Sequence, residues 1–189
     1  HPVDRRQRQM CIRDRSVIER IVSIAGQLEN KSILEIGGGS GNLTKQLIKA
    51  KPKDLIVVEI DKDYVEILGK ILKSSSIKTK LISENILKTD IYSYFSEPPV
   101  IFGNLPYNIS TKILAKLLPP SNDKNKWEKL FLMFQLEVAN RIVAKPNTKQ
   151  YGRLSLFSQF YSFPSLELQI PKSSFFPIPK VESALVKFQ

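Results

Sequence analysis

The chain has 189 residues, 42% hydrophobic and 25% charged, a composition typical of a globular domain and not of a disordered or fibrous segment. Its one cysteine, Cys11, excludes an intrachain disulfide and a zinc site built from several cysteines, and its one histidine, His1, disfavours acid–base chemistry by histidine. Without a bilayer-length apolar run or a secretory signal, the sequence favours a cytoplasmic protein that binds neither membrane nor metal.

The net charge of +11 is carried mainly by lysines that are spread along the chain. Such a charge indicates a polyanionic partner, and nucleic acid is the natural candidate. An ordinary lysine-rich surface explains the same charge equally well. Single lysines such as Lys112, Lys116 and Lys180 are accordingly expected either to meet phosphates or to remain solvated.

Residues 1–15 show no apolar periodicity, which begins only at Val17. We expect this segment to be a foreign or disordered leader outside the fold, with a basic nucleic-acid-binding arm as the alternative. One domain is expected over residues 16–189.

Short apolar runs alternate with amphipathic stripes from residue 17 to residue 143, and this alternation predicts an α/β fold with a parallel sheet. Strands are predicted over 32–36, 55–60, 77–82, 100–102 and 130–136, with helices over 17–25, 43–48, 64–72, 113–118 and 138–143. Beyond Tyr151 the pattern predicts a helix over 154–161 and an antiparallel pair of strands over 166–170 and 184–188. Polar residues 121–126 predict a loop, and prolines predict a rigid extended loop over 175–180.

A glycine-rich turn, Glu35-Ile36-Gly37-Gly38-Gly39-Ser40-Gly41, follows the first predicted strand and opens a helix. Glycines permit positive φ angles and close approach to a ligand, although phosphate cofactors use similar loops. Glu59 ends the next strand, where a carboxylate can accept hydrogen bonds from both ribose hydroxyls. Together these features predict a nucleoside-cofactor site. The alternatives are a solvated strand end at Glu59 and a backbone anchor at Glu35.

Two amides end further strands. Asn85 follows the third strand, where it either reads the edge of an adenine ring or forms an ordinary turn. Asn104-Leu105-Pro106-Tyr107 follows the fourth, and the proline forces Leu105 into an extended conformation. The Asn104 amide, the Leu105 carbonyl and the Tyr107 ring then converge where α/β sheets bind ligands, and they suit a flat heteroaromatic amine. A plain strand-to-helix turn is the alternative.

These motifs, together with the stretches Tyr151-Gly152-Arg153-Leu154-Ser155 and Phe175-Phe176-Pro177-Ile178-Pro179-Lys180-Val181-Glu182-Ser183-Ala184, resemble those of the ribosomal RNA adenine N6-dimethyltransferases. The resemblance covers residues 17–189. It implies a class I, Rossmann-like S-adenosylmethionine-dependent methyltransferase fold, with a mostly parallel sheet and an antiparallel C-terminal hairpin. It also implies transfer of methyl groups from S-adenosylmethionine to N6 of two adjacent adenosines in small-subunit ribosomal RNA, by a protein we expect to be a monomer.

The resemblance also assigns roles to residues. Gly37, Gly39 and Gly41 would pass under the methionine part of the cofactor, Glu59 would hold its ribose, and Asn85 would replace an aspartate that contacts its adenine. Asn104 would face both cofactor and target base, with Leu105 and Pro106 beside it, and Tyr107 and Phe175 would sandwich the flipped base.

Two departures from the family pattern concern the ends of the chain. No Gln-Asn-Phe-Leu motif is found at Arg13-Asp14-Arg15-Ser16, and residues 16–189 are expected to hold the catalytic domain without the family's helical C-terminal RNA-binding domain. Three other functions remain open: methylation of large-subunit RNA, a non-catalytic ribosome-assembly factor that binds RNA, and a nucleotide-dependent dehydrogenase.

Overall fold

The computed structural model describes residues 10–119 and 127–189. The strands are β1 (Cys11–Ile12), β2 (Ser32–Ile36), β3 (Asp54–Glu59), β4 (Lys78–Ser83), β5 (Val100–Asn104), β6 (Lys129–Gln135), β7 (Ser165–Ile170), β8 (Phe175–Phe176) and β9 (Ser183–Phe188). The helices are α1 (Arg15–Ala25), α2 (Asn42–Lys49), α3 (Lys62–Lys73), α4 (Ser110–Leu117), α5 (Leu136–Ile142) and α6 (Arg153–Tyr161). These bounds confirm the predicted strands and helices, while the loop predicted over 121–126 lies outside the described residues.

The main sheet has seven strands in the order β4-β3-β2-β5-β6-β9-β7. The first five of these strands are parallel to one another. Strand β9 pairs antiparallel with both β6 and β7, which confirms the predicted antiparallel pair at the C-terminal side of the sheet. The chain moves outward from β2 to β4 and then restarts at β5 on the other side of β2. The strand order therefore reverses between β2 and β5, which is where open α/β sheets bind ligands.

The central strands are buried on both faces. Their sequences are therefore continuous apolar runs and do not alternate between apolar and polar residues. Neighbouring residues of one strand point to opposite sides of the sheet. Leu34 and Ile101 thus belong to one apolar cluster, and Ile33 and Phe102 to the other. In the second cluster, the rings of Phe102 and Phe131 stack with centroids 5.2 Å apart.

Residues 10–15 are part of the fold, which corrects the expectation that the whole of 1–15 lies outside it. Strand β1 pairs antiparallel with β8, and Ile12 is buried. Asp14 caps α1, because its side chain accepts hydrogen bonds from the backbone N–H groups of Ser16 and Val17. Residues 1–9 lie outside the described residues.

The same pairing corrects the prediction of an irregular loop over 175–180, since Phe175 and Phe176 form the strand β8. The prolines end this strand at once, as the missing backbone donors require. None of the helices within the described residues is long and apolar enough to cross a membrane.

Candidate active site

The carboxyl ends of β2 and β5 meet at the point where the strand order reverses. Parallel pairing places Glu35 opposite Phe102 and Ile36 opposite Gly103. The glycine-rich turn that follows β2 therefore lies beside Asn104, the last residue of β5. Two motifs that are more than sixty residues apart in the sequence thus form one edge of the sheet.

The glycine-rich turn uses the conformational freedom that its sequence indicates. Gly37 and Gly39 have φ angles of 73° and 52°, in the left-handed region that side chains disfavour. At Gly38 the constraint is space, since a Cβ atom would lie 2.8 Å from a Val57 side-chain carbon. The turn therefore packs its backbone closely on β3.

The carboxylate of Glu59 is buried at the end of β3 and holds this turn in place. One oxygen accepts a hydrogen bond from the Gly39 N–H at 3.0 Å, and the other accepts from the N–H groups of Ile60 and Asp61 at 2.8 and 2.9 Å. A carboxylate offers about four lone-pair positions, so one remains for a ligand. The sequence prediction of two ribose hydrogen bonds at Glu59 needs one acceptor position more than this geometry leaves open.

Glu35 is fully buried beneath the turn, and its Oε2 atom has no hydrogen-bond partner among the described residues. Burial raises the pKa of its carboxyl group to about 7; the nearby Glu59 carboxylate adds to the rise, and the Thr44 hydroxyl opposes it. Glu35 also lines a narrow cleft with Gly37 and Asn104. A buried carboxyl at such a position suits a cationic group of a ligand.

A second, larger cleft, with a volume of about 100 Å³, opens between the ends of β3 and β4 and the start of α4. Its lining is mostly apolar and comprises Ile36, Gly37, Val58, Glu59, Ile60, Glu84, Asn85, Ile86, Pro106, Ile109 and Ile113. An apolar cleft with a few polar groups at its rim suits a flat nucleoside. Asn85 lies there as predicted, but its Oδ1 atom also accepts from the Leu87 N–H at 3.0 Å, so it serves both as turn residue and as cleft wall.

Asn104 lines the narrow cleft. Its Nδ2 atom donates a hydrogen bond to the Met10 carbonyl, which fixes the direction of the amide. Leu105 is buried in the apolar core, so its side chain anchors the turn while its backbone stays at the edge of the sheet. Pro106 lines the larger cleft. The structure therefore brings together the predicted residues from Asn104 to Pro106.

Tyr107 is half-buried, and its hydroxyl lies 2.6 Å from the Ser183 Oγ atom. Burial raises the pKa of the Tyr107 hydroxyl, and the hydrogen bond to Ser183 opposes this rise. Ser183 is fully buried at the start of β9. Ser183 belongs to the stretch 175–184 that resembles the family, but nothing in the sequence indicates its contact with a residue 76 positions away.

Phe175 does not line an open site in this structure, contrary to the sequence prediction. Its side chain is only 2% exposed and packs in the same apolar cluster as Ile12, its pairing partner in β1. The next residue, Phe176, is 54% exposed, and the Arg13 guanidinium lies 3.8 Å from the centroid of its ring. Side chains alternate across a strand, so burial of one ring exposes the other.

The Lys116 Nζ atom donates to the backbone carbonyls of Ile86 and Thr89, so two of its three N–H groups already have partners. Lys112 and Lys180 are exposed, as expected for solvated or phosphate-binding residues. Ser155, in the quoted stretch 151–155, has a structural contact: its hydroxyl donates to the Arg141 carbonyl at the end of α5. No cluster of His, Cys, Asp and Glu that could hold a metal ion occurs within residues 10–119 and 127–189.

Comparison with known proteins places this geometry in a family. A family model described as ribosomal RNA adenine dimethylase matches residues 4–189. A curated relative from Pelagibacter ubique, named ribosomal RNA small subunit methyltransferase A, is 43% identical over 175 residues, which cover 93% of this chain. The chain spans only 65% of the length of that relative.

Two solved structures share the fold over 94% of this chain. A dimethyladenosine transferase from Plasmodium falciparum superposes with a TM-score of 0.82 at 28% identity, over 62% of its own length. The 23S rRNA methyltransferase ErmE superposes with a TM-score of 0.78 at 25% identity, over 68% of its length. The fold is therefore that of the class I S-adenosylmethionine-dependent methyltransferases, and the chain belongs to the ribosomal RNA adenine dimethylase family.

Proposed function

We propose that this chain is the catalytic domain of a monomeric, cytoplasmic enzyme that transfers methyl groups from S-adenosylmethionine to N6 of two adjacent adenosines in small-subunit ribosomal RNA. The observation that supports this most strongly is the position of Asn104 beside the glycine-rich turn, where strand order reverses. The name of the Pelagibacter relative supports the choice of the small subunit.

The residues at the two clefts fit S-adenosylmethionine in their chemistry. The unpartnered Oε2 of Glu35 suits the ammonium group of the methionine part, and the remaining lone pair of Glu59 suits a ribose hydroxyl. The apolar walls formed by Ile60 and Ile86, with the Asn85 amide at the rim, suit the adenine ring. Gly37, Gly39 and Gly41 would let the backbone pass close to the methionine part.

When bound, S-adenosylmethionine supplies a methyl group on a positively charged sulfur, which is an electrophile. The exocyclic amine of adenine is a poor nucleophile, because its lone pair is delocalised into the ring. In our proposal the Asn104 side-chain oxygen and the Leu105 carbonyl accept hydrogen bonds from its two N–H groups, so that the nitrogen becomes pyramidal and its lone pair is free to attack. The methylated nitrogen then carries a positive charge and releases one proton to water. No strong base is needed before attack, and catalysis rests on positioning and electrostatics.

The target adenine must leave its stack, which costs a few kcal/mol, and stacking on an aromatic ring returns about 1–3 kcal/mol per base. Tyr107 is the ring next to Asn104 and supplies one face. A buried Phe175 supplies a second face only if β1 and β8 separate. The net charge of +11 supports binding of the RNA backbone.

The test is transfer of tritiated methyl groups to purified, unmethylated small ribosomal subunits, with the modified adenines mapped afterwards. The proposal expects label on N6 of two adjacent adenosines. Because the chain spans part of its relatives' length, the assay is run beside calorimetric titration with S-adenosylmethionine. Binding of the cofactor without transfer to any subunit would favour a non-catalytic assembly factor instead.

Methylation of large-subunit RNA is a second candidate, favoured by the likeness to the 23S rRNA methyltransferase ErmE. Purified large subunits in the same assay separate the two functions. Label on the large subunit alone would replace the first proposal by the second.

A further inference from the structure

We propose that Lys116 is a positioning residue that ties residues 84–89 to α4 and thereby sets the width of the cleft for the cofactor adenine. This inference rests on the cofactor site proposed above. Its basis is a pair of hydrogen bonds that join two elements lining the larger cleft.

The Lys116 Nζ atom donates to the Ile86 carbonyl at 2.8 Å and to the Thr89 carbonyl at 2.6 Å. Both carbonyls belong to the turn that follows β4. Within this turn the Leu87 N–H donates to the Asn85 side chain at 3.0 Å, and the Thr89 N–H donates to the Asn85 carbonyl at 3.1 Å. The turn is therefore a small unit organised on Asn85, and Lys116 connects it to the neighbouring helix.

The two elements that Lys116 joins both line the cleft. Glu84, Asn85 and Ile86 line it from the turn, while Ile109 and Ile113 line it from the start of α4. Ile113 and Lys116 are three residues apart on α4, so their side chains share one face of the helix. The position of Ile86 relative to Ile113 thus depends directly on the Lys116 side chain.

The Lys116 side chain is partly buried, and two backbone carbonyls accept hydrogen bonds from its ammonium group. Burial lowers the pKa of its ammonium group, and the charge of Asp90 opposes that effect. Two carbonyl acceptors hold the ammonium group in its charged, donating form, and hydrogen bonds to charged groups are among the stronger ones. Loss of this group would leave the Ile86 and Thr89 carbonyls without their shared donor and free the turn from α4.

The experiment compares Lys116→Met with Lys112→Met, which removes the same charge from an exposed position on the same helix. Calorimetry with S-adenosylmethionine should give a dissociation constant about tenfold higher for Lys116→Met, as loss of hydrogen bonds to a charged group implies. Lys112→Met should bind as the wild type does, and Lys116→Arg should restore most of the affinity. Equal loss in both methionine variants would overturn the inference, as would unchanged affinity in Lys116→Met.

A second pair of measurements separates positioning from general destabilisation and from failure of the proposed function. If Lys116 acts through the turn, Asn85→Ala should weaken binding less in the Lys116→Met background than in the wild type. Additive losses would overturn the inference.

Hydrogen exchange of the Leu87 and Thr89 amides should quicken in Lys116→Met without any ligand, and unchanged exchange would overturn the inference. A wild type that does not bind S-adenosylmethionine at all would instead refute the proposed function, while the exchange data still test Lys116.

Discussion

Two regions of the molecule are held together by different kinds of contact. One is the glycine-rich edge, which comprises the turn 35–41 and Asn104, and the other is the C-terminal aromatic segment, residues 175–183. The glycine-rich edge is made of strand ends, and its main contact, from the Gly39 N–H to the Glu59 carboxylate, joins adjacent parallel strands. The aromatic segment is held by long-range contacts: β8 pairs with β1 near the start of the chain, and Ser183 bonds to Tyr107.

This difference decides which side chains face the site. At the glycine-rich edge, the parallel pairing of β2 and β5 places Gly37 and Asn104 at the same end of the sheet. In the aromatic segment, pairing with β1 turns Phe175 into the core and Phe176 outward. The first region should therefore respond to mutation mainly in binding and chemistry, and the second mainly in stability.

The strongest test of the first region is Asn104→Ala. Removal of a group that contacts the reacting amine should lower methyl transfer by about a thousandfold, the upper range for loss of one electrostatic contact in an active site. Affinity for S-adenosylmethionine should fall much less, since the glycine-rich turn and Glu59 remain. Transfer assays and calorimetry on the same preparation measure both. Equal losses of transfer and affinity would make Asn104 a cofactor ligand only.

The corresponding test of the second region compares Phe175→Ala with Phe176→Ala. Phe175 is buried, so its loss should reduce the free energy of unfolding by about 4 kcal/mol, in the range for large core deletions. Phe176 is exposed, so its loss should change stability little. Urea denaturation measures both variants. If Phe176→Ala were the more destabilising of the two, the alternation in β8 would be wrong.

The sequence predicted the glycine-rich edge because periodicity and turn residues are local signals. Apolar runs located β2, β3 and β5, and a parallel sheet then required their carboxyl ends to meet. The sequence could not reveal that Cys11 and Ile12 pair with β8, since a two-residue strand has no periodicity to detect. Phe175 faces the core in that pairing, so its burial could not be predicted from the sequence.

The contacts of single polar side chains could not be predicted from the sequence either. Lys116 was interpreted as solvated or phosphate-bound, yet it bonds to two carbonyls of a turn 27 and 30 residues away. No role was predicted for Ser183, which contacts the Tyr107 hydroxyl. Such contacts depend on the relative positions of whole helices and strands, which residue pattern alone does not specify.

A third prediction concerns the buried Glu35 beneath the glycine-rich turn. Its pKa is about 7, against 4.5 as the ordinary value, so between these pH values the folded chain keeps a proton that the unfolded chain releases. Stability should therefore fall by about 3 kcal/mol as the pH rises through this window, and then level off. Glu35→Gln should remove this fall in urea denaturation at about pH 5 and pH 8, whereas Glu66→Gln, an exposed control, should keep it. A Glu35→Gln variant with the pH dependence of the wild type would refute the assignment.

The smallest expected effect tests the link between the two regions, the hydrogen bond between Tyr107 and Ser183. Ser183→Ala should reduce kcat by a few-fold and stability by about 1 kcal/mol, because the Tyr107 hydroxyl loses its partner while the ring remains. Tyr107→Ala should reduce transfer far more than Tyr107→Phe, since only the alanine variant removes the stacking ring. The kinetics of Tyr107→Phe, of Ser183→Ala and of the double variant Tyr107→Phe/Ser183→Ala together form a double-mutant cycle. If the hydrogen bond orients the ring, the double variant should be no worse than either single one. Additive losses would mean that the two residues act independently, and equal effects of Tyr107→Ala and Tyr107→Phe would remove the stacking role.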